Sequence, residues 1–253
     1  MRVLRLCLAG LVAGSALAQA PGGSPDRSPD IESACSRLSA GDASGALRWY
    51  RTAAETRALY LQVFRLAEER LRTLARTRTP GTWAVIADAD ETLLDNSAFQ
   101  CELEAPPAKK FDPVLWDRWV AEARATATPG AAEFVRAVHR LGGLVIVVTN
   151  RVESRHRAAT LRNFEALGMV PDAMLLAPDD ASTDKNPRFR LVSTQGIPGV
   201  AAPPPEVLMY LGDNIEDFPE LKQSDPGPAG NFGTLYFVMP NPVYGSWLRN
   251  VLR

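Results

Sequence analysis

Residues 83–93 read WAVIADADETL, and this stretch decides the fold. Its first five residues are apolar, and the run ends directly on Asp88. A second apolar run, LVIVV over residues 144–148, ends in the same way on Thr149 and Asn150. Continuous apolar runs of this length are typical of strands in a parallel sheet that is covered on both faces. The sequence therefore predicts two buried strands, each followed by polar residues.

Apolar patterns extend this prediction along the chain. Helical spacing over residues 46–74 predicts one long helix or two, and residues 95–128 are predicted to be a connection with a helical centre around Trp116. The other predicted helices cover residues 129–141 and 153–167, and the other predicted strands cover residues 174–177, 207–211 and 234–239. Strands that alternate with helices indicate an α/β fold, a Rossmann-like parallel sheet with helices on both faces.

Composition excludes several protein classes. Of the 253 residues, 46% are hydrophobic and 23% are charged, which is typical of a globular chain rather than a disordered one. Beyond the N-terminus, no apolar run reaches the roughly 20 residues that a membrane-spanning helix needs. The formal net charge of -1 gives no electrostatic case for a nucleic-acid polymer as partner. Since only His139 and His156 are present, a histidine-rich zinc site is not expected.

The N-terminus has the pattern of a secretory signal peptide. Two arginines precede an apolar stretch over residues 6–18, which ends in the cleavage pattern Ala-Leu-Ala. We expect cleavage after Ala18 and export to the periplasm or the medium. Because Cys7 stands at the very start of the apolar stretch, too early to be a lipidation cysteine, we expect neither a lipid group nor any other stable membrane anchor.

The mature chain is predicted to have two parts. Residues 19–45 are predicted to be a flexible leader, rich in Pro, Gly, Ser and Asp over its first half. Residues 46–253 are predicted to form one domain, in which the N-terminal helices and the 95–128 insert make a small helical subdomain. Cys35 and Cys101 remain after cleavage, and an exported location permits a disulfide between them. Two buried thiols fit the sequence equally well.

Polar segments follow four of the predicted elements. They are DADETL at residues 88–93, TNR at 149–151, Lys185, and GDNIED at 212–217. Ligands of open α/β sheets bind at the carboxyl ends of the strands. Each segment alone has an ordinary interpretation as a turn, a helix cap or a surface lysine. Their occurrence together, in this order, predicts that they converge on one site.

The chemistry of the convergent groups indicates a metal-assisted phosphate site. The carboxylates of Asp88, Asp90, Asp213 and Asp217 would repel one another in one crevice, so a cation is needed to hold them. Oxygen ligands without His or Cys favour a hard ion, and Mg²⁺ fits this set.

The remaining groups of these segments suit a phosphoryl group. Lys185 would supply positive charge to it, and the side chains of Thr149 and Asn150 would donate hydrogen bonds. A carboxylate can attack phosphorus to form an aspartyl-phosphate. A second carboxyl group two residues further on would serve as the general acid and then activate water.

These segments resemble the four motifs of the haloacid dehalogenase-like superfamily, and within it the class C bacterial acid phosphatases, which include outer-membrane lipoprotein 5′-nucleotidases. The resembling stretches are 49–67 (WYRTAAETRALYLQVFRLA), 86–98 (IADADETLLDNSA), 111–124 (FDPVLWDRWVAEAR), 129–131 (PGA), 185–189 (KNPRF), 212–218 (GDNIEDF) and 240–247 (PNPVYGSW). Together they cover most of the chain from about residue 46.

The resemblance implies a role for each acidic residue of the motifs. Asp88 would be the nucleophile and a Mg²⁺ ligand. Asp90 would be the acid and base, with its backbone carbonyl on the metal. Asp213 would be the third protein ligand, and Asp217 would orient metal-bound water.

The resemblance also implies groups that bind the substrate. Thr149, Asn150 and Lys185 would bind the phosphoryl group. Aromatic rings would hold a nucleoside or aryl group, and the candidates by position are Phe99, Trp116, Tyr244 and Trp247, although core packing explains these rings equally well. A homodimer is also expected from the resemblance. Because the inserts between the motifs are short, we expect an open site for small phosphomonoesters.

The sequence thus predicts an exported, Mg²⁺-dependent acid phosphatase that acts on phosphomonoesters, including 5′-nucleotides. Two alternatives stay open. A non-catalytic storage or binding protein could use the same scaffold, although Asp88, which such relatives lose, is present here. A phosphotransferase would use every residue named above. The chain contains no G-x-S-x-G elbow and no phosphate-binding G-x-x-x-x-G-K-[ST] loop.

Overall fold

The structure is a computed structural model. It describes residues 35–38, 41–107, 110–180, 182–197, 199–201 and 203–251. The predicted signal peptide and most of the predicted leader lie outside the described residues.

Strands and helices alternate along the described chain. The strands are β1 (Trp83–Ala87), β2 (Leu94–Asp95), β3 (Thr126–Ala127), β4 (Leu144–Val152), β5 (Ala173–Ala177), β6 (Glu206–Gly212) and β7 (Tyr236–Val238). The helices are α1 (Gly45–Thr52), α2 (Ala54–Ala75), α3 (Ser97–Glu104), α4 (Pro113–Glu122), α5 (Ala131–Arg140), α6 (Glu153–Ala166) and α7 (Asn186–Thr194). Within the described ranges, no helix combines the length and the apolar character that crossing a membrane requires.

Five parallel strands form the central sheet, in the order β5-β4-β1-β6-β7. β1 is the middle strand, and all five of its residues are buried. Its last residue, Ala87, lies beside Val147 of β4 and Leu211 of β6. β1 and β6 end at this level, and the regular pairing of β4 with β5 is interrupted just after it, between Val148 and Val152. Asp88, Thr149 and Asp213 therefore lie at the same edge of the sheet. This register confirms the predicted α/β fold with a parallel sheet.

Each face of the sheet has its own hydrophobic cluster, because successive side chains of a strand point to opposite faces. Val85 of β1 packs in one cluster with residues of α1 to α6, while Ile86 packs in the other with Phe189 of α7. Phe64 of α2 and Phe134 of α5 stack in the first cluster, with ring centroids 5.3 Å apart. Burying side chains of this size stabilises the fold by about 1.5–3 kcal/mol each.

The long helical pattern of residues 46–74 corresponds to two helices, α1 and α2. The break is at Ala53, whose backbone is extended. The hydroxyl of Ser44 caps α1 by accepting a hydrogen bond from the Leu47 amide at 3.1 Å. The apolar pattern could not distinguish one helix from two, because both arrangements bury the same face.

A disulfide joins Cys35 to Cys101 in α3. Ser44 adds a second connection, since its amide donates to the Glu104 carboxylate at 2.7 Å. The last part of the predicted leader is therefore fixed to α3. The 95–128 segment contains two helices, α3 and α4, rather than a single helical centre. Both pack in the same hydrophobic cluster as one face of the sheet.

Candidate active site

Three carboxylates meet where β1 and β6 end. Asp88 follows β1, and its amide donates to the Leu211 carbonyl of β6 at 2.9 Å. Asp213 follows β6, and Asp217 ends the short 3₁₀ turn after it. One oxygen from each of the three side chains lies within 4.8 Å of the others. The structure thus brings together three of the four acidic residues that the sequence predicted as a metal site.

Lys185 lies between two of these carboxylates. Its ammonium group donates to Asp88 Oδ1 and, at 2.6 Å, to Asp217 Oδ1. The side chain is almost completely buried, just before α7. Burial alone would lower the pKa of Lys185, but the two carboxylates outweigh this effect and raise it above its ordinary value. Lys185 is therefore a fixed positive charge beside the predicted nucleophile.

The crowding of these groups changes the pKa of Asp88. Burial raises its pKa to about 7, and the nearby charges of Asp217 and Asp90 act in the same direction, although Lys185 opposes them. Burial, together with the nearby charges of Asp217 and Asp88, also raises the pKa of Asp213 well above its usual range. The site is thus short of positive charge.

Asp213 is held by neutral groups. Its Oδ2 accepts a hydrogen bond from Asn241 Nδ2 at 2.8 Å, and its Oδ1 accepts one from the Thr92 hydroxyl at 3.3 Å. No lysine or arginine of the described ranges forms an ion pair with it. Lys185 neutralises part of the cluster, which leaves a deficit that a small divalent cation with oxygen ligands fits. Asp88, Asp213 and Asp217 are the side chains that could hold one.

The carboxylate of Asp90 lies apart from this cluster. Arg151 grips it through three hydrogen bonds: Nε donates to Oδ1 at 3.0 Å and to Oδ2 at 3.2 Å, and a terminal nitrogen donates to Oδ1 at 2.7 Å. Asn96 Nδ2 adds a fourth, to Oδ1 at 2.9 Å. These contacts hold the Asp90 side chain outside the three-carboxylate cluster, and its role as the acid and base stays a prediction. Its predicted backbone contact to a metal stays a prediction.

Thr149 and Asn150 lie in β4, where its pairing with β5 shifts in register. Thr149 is fully buried and its hydroxyl accepts a hydrogen bond from the Arg151 amide at 3.2 Å. Asn150 is exposed, and its side-chain Oδ1 accepts a hydrogen bond from Arg188 at 2.7 Å. Asn150 lines the cavity described next, whereas Thr149 does not. The predicted phosphate contact of Thr149 stays a prediction.

A cavity of about 430 Å³ opens over the carboxylates and Lys185. The apolar part of its wall is formed by Phe99, Leu103, Phe111, Trp116 and Tyr244. The rings of Phe99 and Trp116 meet edge to face, with centroids 5.2 Å apart. The arrangement can hold a phosphate group at the polar end and a planar apolar group at the other.

One predicted member of this wall must be corrected. Trp247 is not among the residues that line the cavity. It lies in the surface turn Ser246–Arg249, where 37% of its area is exposed. Phe111 lines the wall instead. It sits in the quoted FDPVLW stretch, but nothing in the sequence pattern separates it from its neighbours.

Comparisons with known proteins agree with this geometry. A family model described as HAD superfamily, subfamily IIIB (acid phosphatase), matches residues 40–247. The chain belongs to this family. Its members are phosphoric monoester hydrolases of the haloacid dehalogenase-like superfamily.

Solved structures extend the similarity to the fold of this subfamily IIIB protein. A class C acid phosphatase from Bacillus anthracis, solved with tungstate bound, superposes with a TM-score of 0.69 and 28% identity, over 85% of this chain and 87% of that one. A second structure of the Bacillus anthracis enzyme gives a TM-score of 0.68 with the same identity and coverage.

A curated relative is similar over part of its length. Acid phosphatase 1 from Solanum lycopersicum is 32% identical over 165 residues, which is 63% of this chain. The match spans 57% of the tomato protein.

Three polar residues of this subfamily IIIB site had no role in the sequence-based prediction. Arg151 and Asn96 contact Asp90, and Arg188 donates to the Thr149 carbonyl as well as to Asn150. All three stand inside quoted motif stretches. Their residue types gave no signal, because arginine is the common basic residue of this chain and asparagine is an ordinary cap.

Gly212 in the fourth motif has a clear steric reason. A Cβ atom placed on it would lie 2.2 Å from the Cβ atom of Asp217. Only glycine therefore lets the chain turn back so that Asp217 reaches Lys185. Gly212 is therefore needed for the position of Asp217 in the site.

Proposed function

We propose that the chain is a Mg²⁺-dependent acid phosphatase that hydrolyses phosphomonoesters, including 5′-nucleotides, through an aspartyl-phosphate on Asp88. One observation carries this proposal: Asp88 is buried beside Lys185, Asp213 and Asp217 at an edge of the sheet that opens on the apolar cavity. Membership of an acid phosphatase family supports the reaction type.

The chain's own residues can divide the reaction into two steps. In the first, an oxygen of Asp88 bonds to phosphorus while the ester P–O bond breaks, and Asp90 gives its proton to the departing alcohol oxygen. In the second, water bonds to phosphorus, its proton passes to Asp90, and the bond from phosphorus to Asp88 breaks. Lys185 and Asn150 would bind the oxygens of the phosphoryl group.

Mg²⁺ fits the donor set of Asp88, Asp213 and Asp217, which contains only carboxylate oxygens. When bound, the ion would neutralise charge on the phosphoryl oxygens. Lys185 orients Asp88 from the other side, because its ammonium group is bonded to both Asp88 and Asp217.

The apolar wall supports a substrate with a planar leaving group. Phe99 and Trp116 form one rigid surface, and Tyr244 lies on the same cavity. A nucleobase or an aryl ring would bury apolar area against these rings. The Bacillus anthracis enzyme was solved with tungstate, a tetrahedral oxyanion like phosphate, which supports an oxyanion ligand at the polar end.

Export is part of the same proposal. The signal-peptide pattern of residues 1–18 carries it, and the disulfide between Cys35 and Cys101 supports it because such bonds persist in oxidising compartments. The homodimer stays a prediction from the family resemblance.

The test is phosphate release from 5′-mononucleotides and aryl phosphates at an acidic pH of about 5–6. Wild-type protein, Asp88→Asn and the exposed control Asp225→Asn are compared with Mg²⁺ and with EDTA. We expect turnover by wild type and Asp225→Asn with Mg²⁺ only, and none by Asp88→Asn. Unchanged turnover by Asp88→Asn, or in EDTA, would refute the proposed mechanism.

A further inference from the structure

The side chain of Asp90 is held more tightly than acid–base chemistry by itself would require. Arg151 reaches both of its carboxylate oxygens with one planar guanidinium group, and Asn96 donates to Oδ1 from another direction. A guanidinium fork of this kind fixes both the position and the plane of a carboxyl group, which a single point charge cannot do.

Arg151 is itself fixed by buried partners. Only 2% of its surface is exposed. A terminal nitrogen donates to the Thr160 hydroxyl at 3.1 Å, and the other donates to Asn96 Oδ1 at 3.3 Å. The guanidinium carbon also lies 5.6 Å from the ring centroid of Trp116, within cation–π range. Arg151 therefore has little freedom to leave Asp90.

Asn96 is fixed in the same way. The residue is completely buried. Its side-chain Oδ1 accepts from Trp119 Nε1 at 2.9 Å, and its backbone amide donates to the Glu91 carboxylate at 2.7 Å. Because Oδ1 is held by the Trp119 donor and the backbone by Glu91, Asn96 presents Nδ2 to Asp90 in one orientation.

We propose that Arg151 and Asn96 form a clamp that holds the Asp90 carboxyl group where it can give a proton to the leaving oxygen and later take one from water. This inference rests on the proposed function. Both clamp members are positioning residues, since they act through Asp90. One oxygen of Asp90 carries the transferred proton while the other still accepts from Arg151.

The clamp matters because misplacing an acid by about 1 Å can cost a factor of about 10² in rate. Asp88 and Asp90 act on one another as like charges although the Asp90 side chain is outside the three-carboxylate cluster. Without Arg151 the carboxylate would turn towards water. Trp116 belongs both to the cavity wall and to the surroundings of Arg151, so the clamp also connects the acid to the surface that would bind the leaving group.

The test compares two aryl phosphates whose leaving groups differ strongly in how much they need a proton. Phenyl phosphate releases a basic phenolate, whereas p-nitrophenyl phosphate releases a stable anion that leaves unaided. We expect Arg151→Lys to lower kcat/KM for phenyl phosphate by about 10²-fold, the usual contribution of a general acid. The loss for p-nitrophenyl phosphate should stay below about fivefold. The matched control is Arg155→Lys, at an arginine paired with Asp117 outside the cavity.

A second variant guards against misfolding. Thr160→Val removes one brace of Arg151, conserves volume and does not touch Asp90. It should produce the same selective loss to a smaller degree. Circular dichroism and thermal unfolding report whether each variant is folded.

A double variant separates positioning from general damage. If Arg151 acts through Asp90, then Arg151→Lys should change little when added to Asp90→Asn. Equal losses on both esters, or losses that multiply in the double variant, would overturn the clamp. Hydrolysis of neither ester by wild type would overturn the proposed function, and the clamp with it.

Discussion

Asp213 is a half-buried carboxylate whose hydrogen-bond partners, Asn241 and Thr92, are neutral. A bound cation would relieve the repulsion between it and the neighbouring carboxylates. A ligand that binds only the folded protein stabilises it by about 2.7 kcal/mol at 100 times its Kd. Mg²⁺ should therefore raise the Tm of the wild-type protein.

Asp213→Asn is expected to abolish this rise. The variant lacks one of the three proposed charged ligands but keeps a side chain of the same shape. In EDTA it should be at least as stable as the wild type, because a half-buried charge that its neighbours repel has been removed. Thermal unfolding with and without Mg²⁺ measures both effects, with Asp225→Asn as the control that keeps the shift. An undiminished shift in Asp213→Asn would contradict the assignment of the ligand.

Asp172 ties α5 to the beginning of β4. Its Oδ2 accepts from the Val145 amide at 2.7 Å and lies 3.0 Å from His139 Nε2. Burial alone would raise the pKa of Asp172, but these hydrogen bonds outweigh it and lower the pKa below its ordinary value. The folded state therefore favours the ionised form. The resulting stability is fully present above the pKa of the unfolded chain and is lost as pH falls through the lowered value.

Asp172→Asn should consequently be less stable than the wild type at pH 7, by roughly 1 kcal/mol. The difference in the free energy of unfolding should shrink as the pH falls below the folded-state pKa, since wild-type Asp172 is then neutral, like the asparagine of the variant. Urea unfolding of both proteins from neutral to strongly acidic pH gives the comparison. A difference that is the same at every pH would show that charge on Asp172 has no part in it.

The disulfide at Cys101 anchors α3, the helix that carries Phe99 and Leu103 into the cavity wall. Replacing both cysteines, Cys35→Ser with Cys101→Ser, should lower the free energy of unfolding by about 2–4 kcal/mol. The KM for aryl phosphates should rise more than kcat falls, because the wall loses its support while the carboxylates keep theirs.

Wild-type protein treated with a reductant is the natural comparison for this double variant. Both should show the same loss in Tm, since they lack the same bond. An unchanged Tm in the double variant would mean that Ser44 and the hydrophobic contacts suffice to hold the segment before α1.

The sheet and its polar edge were predictable from sequence because they depend on local patterns. The prediction for β1 was confirmed with the same bounds. The five apolar residues are all buried in the sheet, and the strand ends where the charged Asp88 follows. The predicted strand at 144–148 was too short. β4 continues to Val152, which pairs with Ala177 after a shift in register. Polar residues within that extension ended the apolar signal while the backbone pairing went on.

Contacts between distant segments were not predictable. The grip of Arg151 on Asp90 joins residues 61 positions apart, and the disulfide joins residues 66 apart. The sequence shows which types of residue are present near the strand ends, but not which of them face one another. Lys185 was found because its charge suits a phosphoryl group and the family resemblance gave it a role. Arg151 was given no role by either argument.

The bond between Cys35 and Cys101 also makes a covalent ring of everything between them, including both motif aspartates that follow β1. Within that ring, the exposed turn after α2 offers a trypsin site at Arg76. A single cut there would give two fragments that migrate as one band without reductant and as two bands with it. Because the N-terminal fragment packs against the sheet that the other fragment contains, the nicked protein should keep its activity until the bond is reduced and the chain is unfolded. The fragment after Arg76, which contains all the proposed site residues, would thus stay active in a protein made of two fragments.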